Sequence, residues 1–502
     1  MPIERELKFR FSETHSATEL WRLLGAKPRR RRLNATYLDT RDAVLRRAHA
    51  ALRMRRSGRR WLQCFKAEPR TGAVLLGRHE WEFAARGGRL RIGAFPLDQI
   101  RATSGIDLGA LQDRLHAVFT TQFDRSTVEL QAPGARIEVA FDRGTIAADR
   151  RREALREIEF ELLEGDFLVL LERVRALIPG LALELEVGSK AERGYRLASG
   201  QRARPVKARR PSIDAQGDPR DAIAAIVGAC VSQVAANAGG TSAARDPEYL
   251  HQLRVGLRRL RSALRLFRAL LPPERTQALV DRLHAVLPAL GVARDWDVVT
   301  ELLEKRILPA AGEGIDLAAT LRWARRRRMR ARRDARAVTA SSAFQQLLID
   351  AMIWAEQAGR ADGAAPLDPS VRARTLTAFA KRKVARLTHR VEQHGDGCDW
   401  SDGAARHQVR IRLKRLRYAC DFFTACFKRK RVRRYLDHLE ALQDLLGELN
   451  DLAMARQLFA EAAGGTGVQG AFINGWLAAR EDALIAALAD AWRVFREQAR
   501  PA

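Results

Sequence analysis

A chain of 502 residues is longer than one hydrophobic core usually supports, so two or three domains are expected. Hydrophobic residues at 46% and charged residues at 30% are those of a folded protein and argue against wholesale disorder. The 89 Lys and Arg against 60 Asp and Glu leave a net charge of +29, a field that gathers polyanions such as nucleic acid, an acidic membrane surface or a phosphate polymer.

The chain opens MPIERELKFRF, with Glu4, Glu6 and Lys8 at alternate positions and Ile3, Leu7 and Phe9 on the opposite parity. In an extended strand alternate side chains share a face, so three charges line one side and apolar residues the other. The device recurs downstream: Arg53 and Arg55; Arg78, Glu80 and Glu82; and Glu157, Glu159 and Glu161 in REIEFEL. Strands are expected at ALRMRR, RRWLQCFKAE, GRHEWEFA, FDRSTVEL, ARIEVAFDRG and LREIEFELLEG, and a helix at DFLVLLERVRALIPG, which stops at Pro179-Gly180. Charges of both signs on one face of many strands suit a closed barrel with a polar interior and an apolar exterior covered by helices. Such an interior could grip an anion with Lys and Arg, and a hard divalent metal such as Mg²⁺ or Mn²⁺ with carboxylates.

Residues 201–219, QRARPVKARRPSIDAQGDP, are polar and rich in Pro and Arg, and read as a linker. From about Arg220 the strand pattern gives way to Leu and Ala at helical spacing, with Gly/Pro-rich breaks near 237–247 and 359–369. This half repeats itself. HQLRVGLRRLRSALRLF from His251 and HQVRIRLKRLRYACDFF from His407 agree at 9 of 17 positions. The same offset brings LGVARDWDV (Leu290 on) over LGELNDLAM (Leu446 on) and Asp295 over Asp451. On the first helix Leu253, Leu257, Leu260, Leu264 and Phe267 form a core stripe, while His251, Arg254, Arg258, Arg261 and Arg265 form a separate one. The second copy keeps His407, Arg410, Lys414 and Arg417, with Arg415 over Arg259. Adjacent like charges destabilise a helix, so their retention in both copies points to an anionic ligand. Further basic runs lie at 322–336, 381–390 and 428–434, with few aromatic residues to stack on bases.

The helical half, about 220–500 with repeats of about 220–365 and 370–500, resembles the CHAD family of conserved-histidine α-helical domains. That resemblance implies two related helical halves lined by His, Arg and Lys, binding inorganic polyphosphate through His251, Arg254, Arg258, Arg261, His407, Arg410, Lys414 and Arg417. Residues 1–200 resemble the CYTH family of triphosphate tunnel proteins. The matching residues are Glu4-x-Glu6-x-Lys8, Tyr37-Leu38-Asp39-Thr40, Leu52-Arg53-x-Arg55, Lys66, Arg78-x-Glu80-x-Glu82, Arg125, Asp142-x-Gly144, the Glu157/Glu159/Glu161 strand and Ser189-Lys190-x4-Tyr195. By resemblance Glu4, Glu6 and carboxylates among Asp142, Glu157, Glu159 and Glu161 bind metal. Lys8, Arg53, Arg55, Lys66, Arg125 and Lys190 grip the triphosphate, with Lys8 and Lys190 acting in catalysis.

The fold expected is an α+β antiparallel barrel tunnel followed by an all-α duplicated bundle. Tandem chains of this kind resemble bacterial inorganic triphosphatases, which implies cleavage of tripolyphosphate to pyrophosphate and phosphate, with the helical domain tethering polyphosphate and, through it, polyphosphate granules. The alternatives are a non-enzymatic polyphosphate-binding or granule-associated protein, a nucleic-acid binder and a class IV-type adenylate cyclase; no nucleobase pocket is readable, so nucleic acid is not expected as a specific ligand. Five cysteines without CxxC spacing suggest a reducing compartment. A charged N-terminus and no run approaching about 18 apolar residues lead to the expectation of a cytoplasmic protein without a membrane partner.

Overall fold

The computed structural model describes residues 3–11, 16–68, 77–243, 246–270, 273–360, 375–461, 467–498 and 500. They form two compact units: Met1–Ser212 with Ala224–Leu253 and Ala340–Arg360, and Ile213–Ile223 with Arg254–Thr339 and Ala361–Ala502.

The first unit is built on an antiparallel barrel of strands β1 (Ile3–Phe11), β2 (Arg29–Asp39), β3 (Ala50–Ser57), β4 (Arg60–Ala67), β5 (Arg78–Ala84), β6 (His116–Ala132), β7 (Ala135–Ala148) and β8 (Arg151–Gly165). Their order is β5-β4-β3-β2-β6-β7-β8-β1, and β1 closes the ring on β5 by pairing Ile3 with His79 and Glu4 with Arg78. Beyond that point β1 leaves β5; its C-terminal end pairs instead with the short β9 (Leu183–Leu185) through Phe9, Arg10 and Phe11. The alternation read from the opening segment holds. Leu7 and Phe9 are buried on the outside, and Phe9 meets Phe160 of β8 edge-on at 5.9 Å.

Helices cover that apolar exterior. α1 (Ala17–Leu24), α2 (Val44–Arg47) and α3 (Leu97–Ser104) precede α4 (Phe167–Leu177), which is capped by Asp166 through the Leu168 N–H. Leu45 of α2 and Ile100 of α3 join Leu52, Phe65 and Trp81 in one core layer. α5 (Lys190–Ala198) does the opposite and packs on the inner face of the barrel. Its start is fixed by a capping box between Ser189 and Glu192, and Tyr195 meets Phe119 edge-on at 5.2 Å. Gly194 makes that approach possible, because a Cβ there would lie 2.1 Å from the Phe119 ring.

Two strands escape an alternation reading. In β2 the run Arg29–Arg32 masks the pattern that Leu33, Ala35 and Tyr37 establish afterwards, and β9 is three residues long. The helical half begins as expected, with α6 (Asp221–Ala243) and α7 (Glu248–Phe267). The glycine-rich break expected from 237 is instead continuous helix to Ala243. Gly239 leaves room for the Arg10 guanidinium, which would stand 2.3 Å from a Cβ, and Gly240 does the same for the Tyr249 ring. α6 also corrects the expectation about apolar runs. Asp221–Thr241 is long and apolar enough to cross a bilayer by length and composition, at a mean hydropathy of 1.6, yet 67% of it is buried in the protein, as in a core helix.

α8 (Pro273–Leu302), α9 (Ala318–Ala340), α10 (Ser342–Ala358), α11 (Leu376–Gly395), α12 (Gly403–Phe422), α13 (Arg429–Ala460) and α14 (Val468–Arg496) complete the described helices. α10 belongs to the first unit, where Gln345 accepts a hydrogen bond from the Leu185 N–H and Asp350 pairs with Arg175 of α4. In the second unit Phe267 of α7 stacks on Phe379 of α11 at 5.5 Å, and Phe423 closes the cluster edge-on. The core stripe Leu253, Leu257, Leu260, Leu264 and Phe267 is wholly buried, as its spacing required.

Candidate functional site

The barrel encloses a lumen of about 680 Å³ whose walls carry the alternating charges. Strand register brings them to common levels: Glu6 lies opposite Glu161 and Lys8 opposite Glu159 across β1 and β8, while Lys66 lies opposite Glu80 across β4 and β5. Lys66 Nζ donates to Glu4 at 2.6 Å and lies 2.8 Å from Glu80; burial alone would lower its pKa, but these two carboxylates hold it above the usual ammonium range. Arg53 reaches Glu80 at 3.4 Å and Arg55 reaches Glu82 at 2.7 Å. Arg125 grips Asp142 with a two-point fork, 2.7 Å on each arm, and also pairs with Glu159. Lys8 lies 3.4 Å from both Glu6 and Glu159.

Lys190 enters this wall from the first turn of α5. Its ammonium lies 2.8 Å from Asp142 and 2.7 Å from Glu159 and pairs with Glu157, and it stands over the Phe123 ring at 5.2 Å. Oxygens of Asp142, Glu157 and Glu159 lie within 4.8 Å of one another, and the cations at hand neutralise them. Arg193, also on α5, adds a bond to Glu157 at 3.0 Å and one to Glu153 at 2.7 Å.

The carboxylates nearer the β1–β5 closure are differently placed. Burial drives Glu4 up to about 7, with Lys66 opposing and Glu6 and Glu80 reinforcing. Burial likewise drives Glu161 to about 8, reinforced by Glu4, Glu6 and Glu138. For Glu6 burial pushes upward too, but Lys8, Lys66 and Arg78 hold it below its ordinary value. Glu159 is likewise buried, yet Lys190, Arg125 and Lys8 keep it well below the usual range. Among the lumen carboxylates, Glu6 and Glu159 are therefore held low by neighbouring cations, whereas burial raises Glu161 and also Glu4, although Lys66 pairs with it.

In the helical part, Arg254 and Arg258 of α7 meet Arg410 and Lys414 of α12. Burial lowers Lys414 to about 6, with Arg258 and Arg410 adding to the effect, and burial with Arg258 beside it lowers Arg254 to about 10. Asp295 and Asp451, the repeated aspartates, stand among these cations; burial raises both despite Arg254 and Arg410 respectively. Buried Arg254 Nη1 and Arg258 Nε have no hydrogen-bond partner among the described residues. Arg261 lies near Arg258 and Arg415. His251 stands one turn before Arg254 on α7, and His407 is exposed near the start of α12. Arg417 turns away to Glu440 at 2.9 Å and Gln443 at 3.1 Å. Arg259 is 4% exposed and lies over the Phe422 ring at 4.9 Å, a packing role that the repeat alone did not reveal.

The CYTH domain family model matches residues 2–195 and the CHAD domain family model matches residues 225–460. The chain carries a CYTH domain and a CHAD domain in tandem. It is 29% identical over 175 residues to an inorganic triphosphatase of Haemophilus influenzae, a match spanning 34% of this chain and 47% of that relative. The chain thus covers about half the length of the curated relative it matches. The crystal structure of a CHAD domain from the plant Ricinus communis is 28% identical, with a TM-score of 0.51, covering 60% of this chain and 99% of that one. A putative adenylyl cyclase from Hippeastrum, described as having a dominant triphosphatase activity, is 19% identical with a TM-score of 0.30, covering 40% and 97%.

CYTH triphosphatases are in general dependent on a divalent metal. The CYTH lumen of this chain fits such an ion by its donor chemistry. Glu4, Glu6 and Glu161 line the lumen and offer hard oxygen donors, the ligand type a hard divalent ion takes. Sequence reasoning missed Glu138, which lies opposite Glu161 across β7 and β8 and lines the lumen. Its signal was available, since Glu138, Ala140 and Asp142 alternate on one face. In the CHAD domain it missed Asn450, which accepts from Arg410 at 3.2 Å, one residue before the repeated Asp451.

Proposed function

We propose that the CYTH domain is a metal-dependent inorganic triphosphatase that hydrolyses tripolyphosphate to pyrophosphate and phosphate with Mg²⁺ or Mn²⁺, and that the CHAD domain binds inorganic polyphosphate. The observation that carries this reading is one lumen in which the cations Lys8, Arg53, Arg55, Lys66, Arg125 and Lys190 are interleaved with the carboxylates Glu4, Glu6, Glu159 and Glu161. The triphosphatase relative and the CYTH fold support a triphosphatase-type activity.

In this reading Arg53, Arg55 and Arg125 lay guanidinium forks on the phosphate oxygens, and Lys8, Lys66 and Lys190 neutralise the charge that develops as the anhydride opens. Asp142, Glu157 and Glu159 hold Lys190 and Arg125 in position. Glu4, Glu6 and Glu161 would hold the divalent ion, which would supply charge neutralisation and orient a water. The CHAD cations Arg254, Arg258, Arg410 and Lys414, poorly compensated by two aspartates, are suited to a polyanion without bases. The test is phosphate release from tripolyphosphate with and without Mg²⁺ or Mn²⁺. Release that depends on metal supports the reading; absence of release while long-chain polyphosphate still binds favours the non-enzymatic alternative.

A further inference from the structure

The lumen is not alone in using Glu4, Glu6 and Lys8. A larger cavity of about 1230 Å³ shares them, together with Glu68, Arg78 and Glu192, and so adjoins the lumen at the end where β1 meets β5. Its other walls are residues 201–212 and helix α6. The segment that reads as a linker is thus a strap across a vestibule, and it is fastened. The side chain of Asn237, wholly buried in α6, accepts from the Val206 N–H at 3.0 Å and donates to the Val206 carbonyl at 2.9 Å. At the upstream end Arg46 donates to the Gln201 side chain at 3.0 Å.

The charge of this strap is one-sided. Gln201–Arg210 contains five cations and no acid, and all five line the cavity. Three vestibule acids are already engaged: Glu186 by Arg10 at 2.9 Å, Glu153 by Arg193 at 2.7 Å, and Glu68 by Arg209 at 3.7 Å, while Asp246 also lines the cavity. Among the described residues Arg202, Arg204, Lys207 and Arg210 form no ion pair. Small α6 residues, Ala225, Ala229, Ala236 and Gly239, leave the opposite wall open, and Tyr249 is the one aromatic side chain lining it. A linear anion without bases fits such a space, since a single aromatic ring among the described lining residues provides little for base stacking.

We propose that this vestibule admits linear polyphosphate longer than three phosphates, with Arg202, Arg204, Lys207 and Arg210 holding the phosphates outside the lumen while the chain end lies among the lumen residues. The proposal rests on the triphosphatase reading above and extends its substrate from a fixed length to the end of a longer chain. In the step concerned, a water oxygen bonds to the terminal phosphorus and the bridging P–O bond breaks. The shortened chain keeps the bridging oxygen, orthophosphate leaves, and the proton released passes to solvent. No co-reactant beyond water is needed.

The test uses the full chain carrying Arg202→Gln, Arg204→Gln, Lys207→Gln and Arg210→Gln together, assayed on tripolyphosphate and on linear polyphosphate of defined greater length. The expected result is a fall of about tenfold or more in kcat/KM for the longer chain, with tripolyphosphate turnover unchanged. A companion with Lys at all four positions should restore the longer-chain rate, because the charge is retained. A second control, Arg258→Ala with Lys414→Ala, separates capture by the CHAD face from entry at the vestibule and should leave the strap effect intact. Equal losses on both substrates, or no loss on the longer one, would overturn the vestibule role while leaving the triphosphatase reading standing. A wild-type chain inert toward tripolyphosphate would overturn the triphosphatase reading itself, and the entry role with it.

Discussion

Glu4 and Glu161 carry a stability signature that can be measured without turnover. In the metal-free protein they retain protons to about 7 and about 8, whereas in the unfolded chain they ionise near the ordinary value of 4.5. Between those limits the native state binds more protons than the unfolded state, so its stability falls as pH rises. Between about pH 5 and about pH 8 the Tm of the chelator-treated chain should therefore fall relative to that of Glu4→Gln/Glu161→Gln. Added Mg²⁺ should raise Tm more at the upper end, because the ion replaces those protons. An equal pH dependence in variant and wild type would contradict this assignment. Lys414 gives the converse case. Burial beside Arg258 and Arg410 lowers its pKa to about 6, so it is largely neutral at pH 7.5, and a bound polyanion favours its charged form. Calorimetry of polyphosphate binding in two buffers of different ionisation enthalpy should detect uptake of about one proton. Lys414→Met should abolish that uptake and weaken binding.

At the scale of elements the decisive piece is α5, which turns into the barrel and delivers Lys190 and Arg193 to the acidic wall. Gly194 permits it. Gly194→Val should force the helix off Phe119, at a cost of about 1–3 kcal/mol by denaturant unfolding, and should lower kcat by displacing Lys190. Preserved stability together with preserved turnover would remove α5 from the mechanism. Ser189-Lys190 and Tyr195 were legible in the sequence, but the inward turn of the helix was not, because it depends on Phe119 and Gly194, distant in the chain. The charged strands were legible for the reason opposite to this: alternation is local and fixes the face of every side chain. β2 was hidden by four successive arginines, and β9 by its length. Spacing left Glu157, Glu159 and Glu161 alike, and their pairing differs. The first two are tied to Lys190, whereas Glu161 faces Glu6 and Glu138. In the repeat, equal sequence positions acquired unequal surroundings, so Arg417 pairs with Glu440 while Arg261 stays beside other cations.

Over the whole molecule, part of the excess positive charge lies on exposed runs such as residues 29–32 and 428–431, and part is gathered in three places: the lumen, the strap over its vestibule and the CHAD helices. All three suit anions of repeated phosphate, and the lumen adds carboxylates suited to a divalent ion. Product analysis after incubation with tripolyphosphate and Mg²⁺ probes that combination. The wild-type chain should yield pyrophosphate and phosphate in equal amounts, and Glu4→Gln/Glu6→Gln, with its ion ligands removed, should be slower by about 100-fold or more. Equal product formation by the double variant, or by wild type in excess chelator, would contradict the assignment of the barrel lumen as a metal-dependent triphosphatase site.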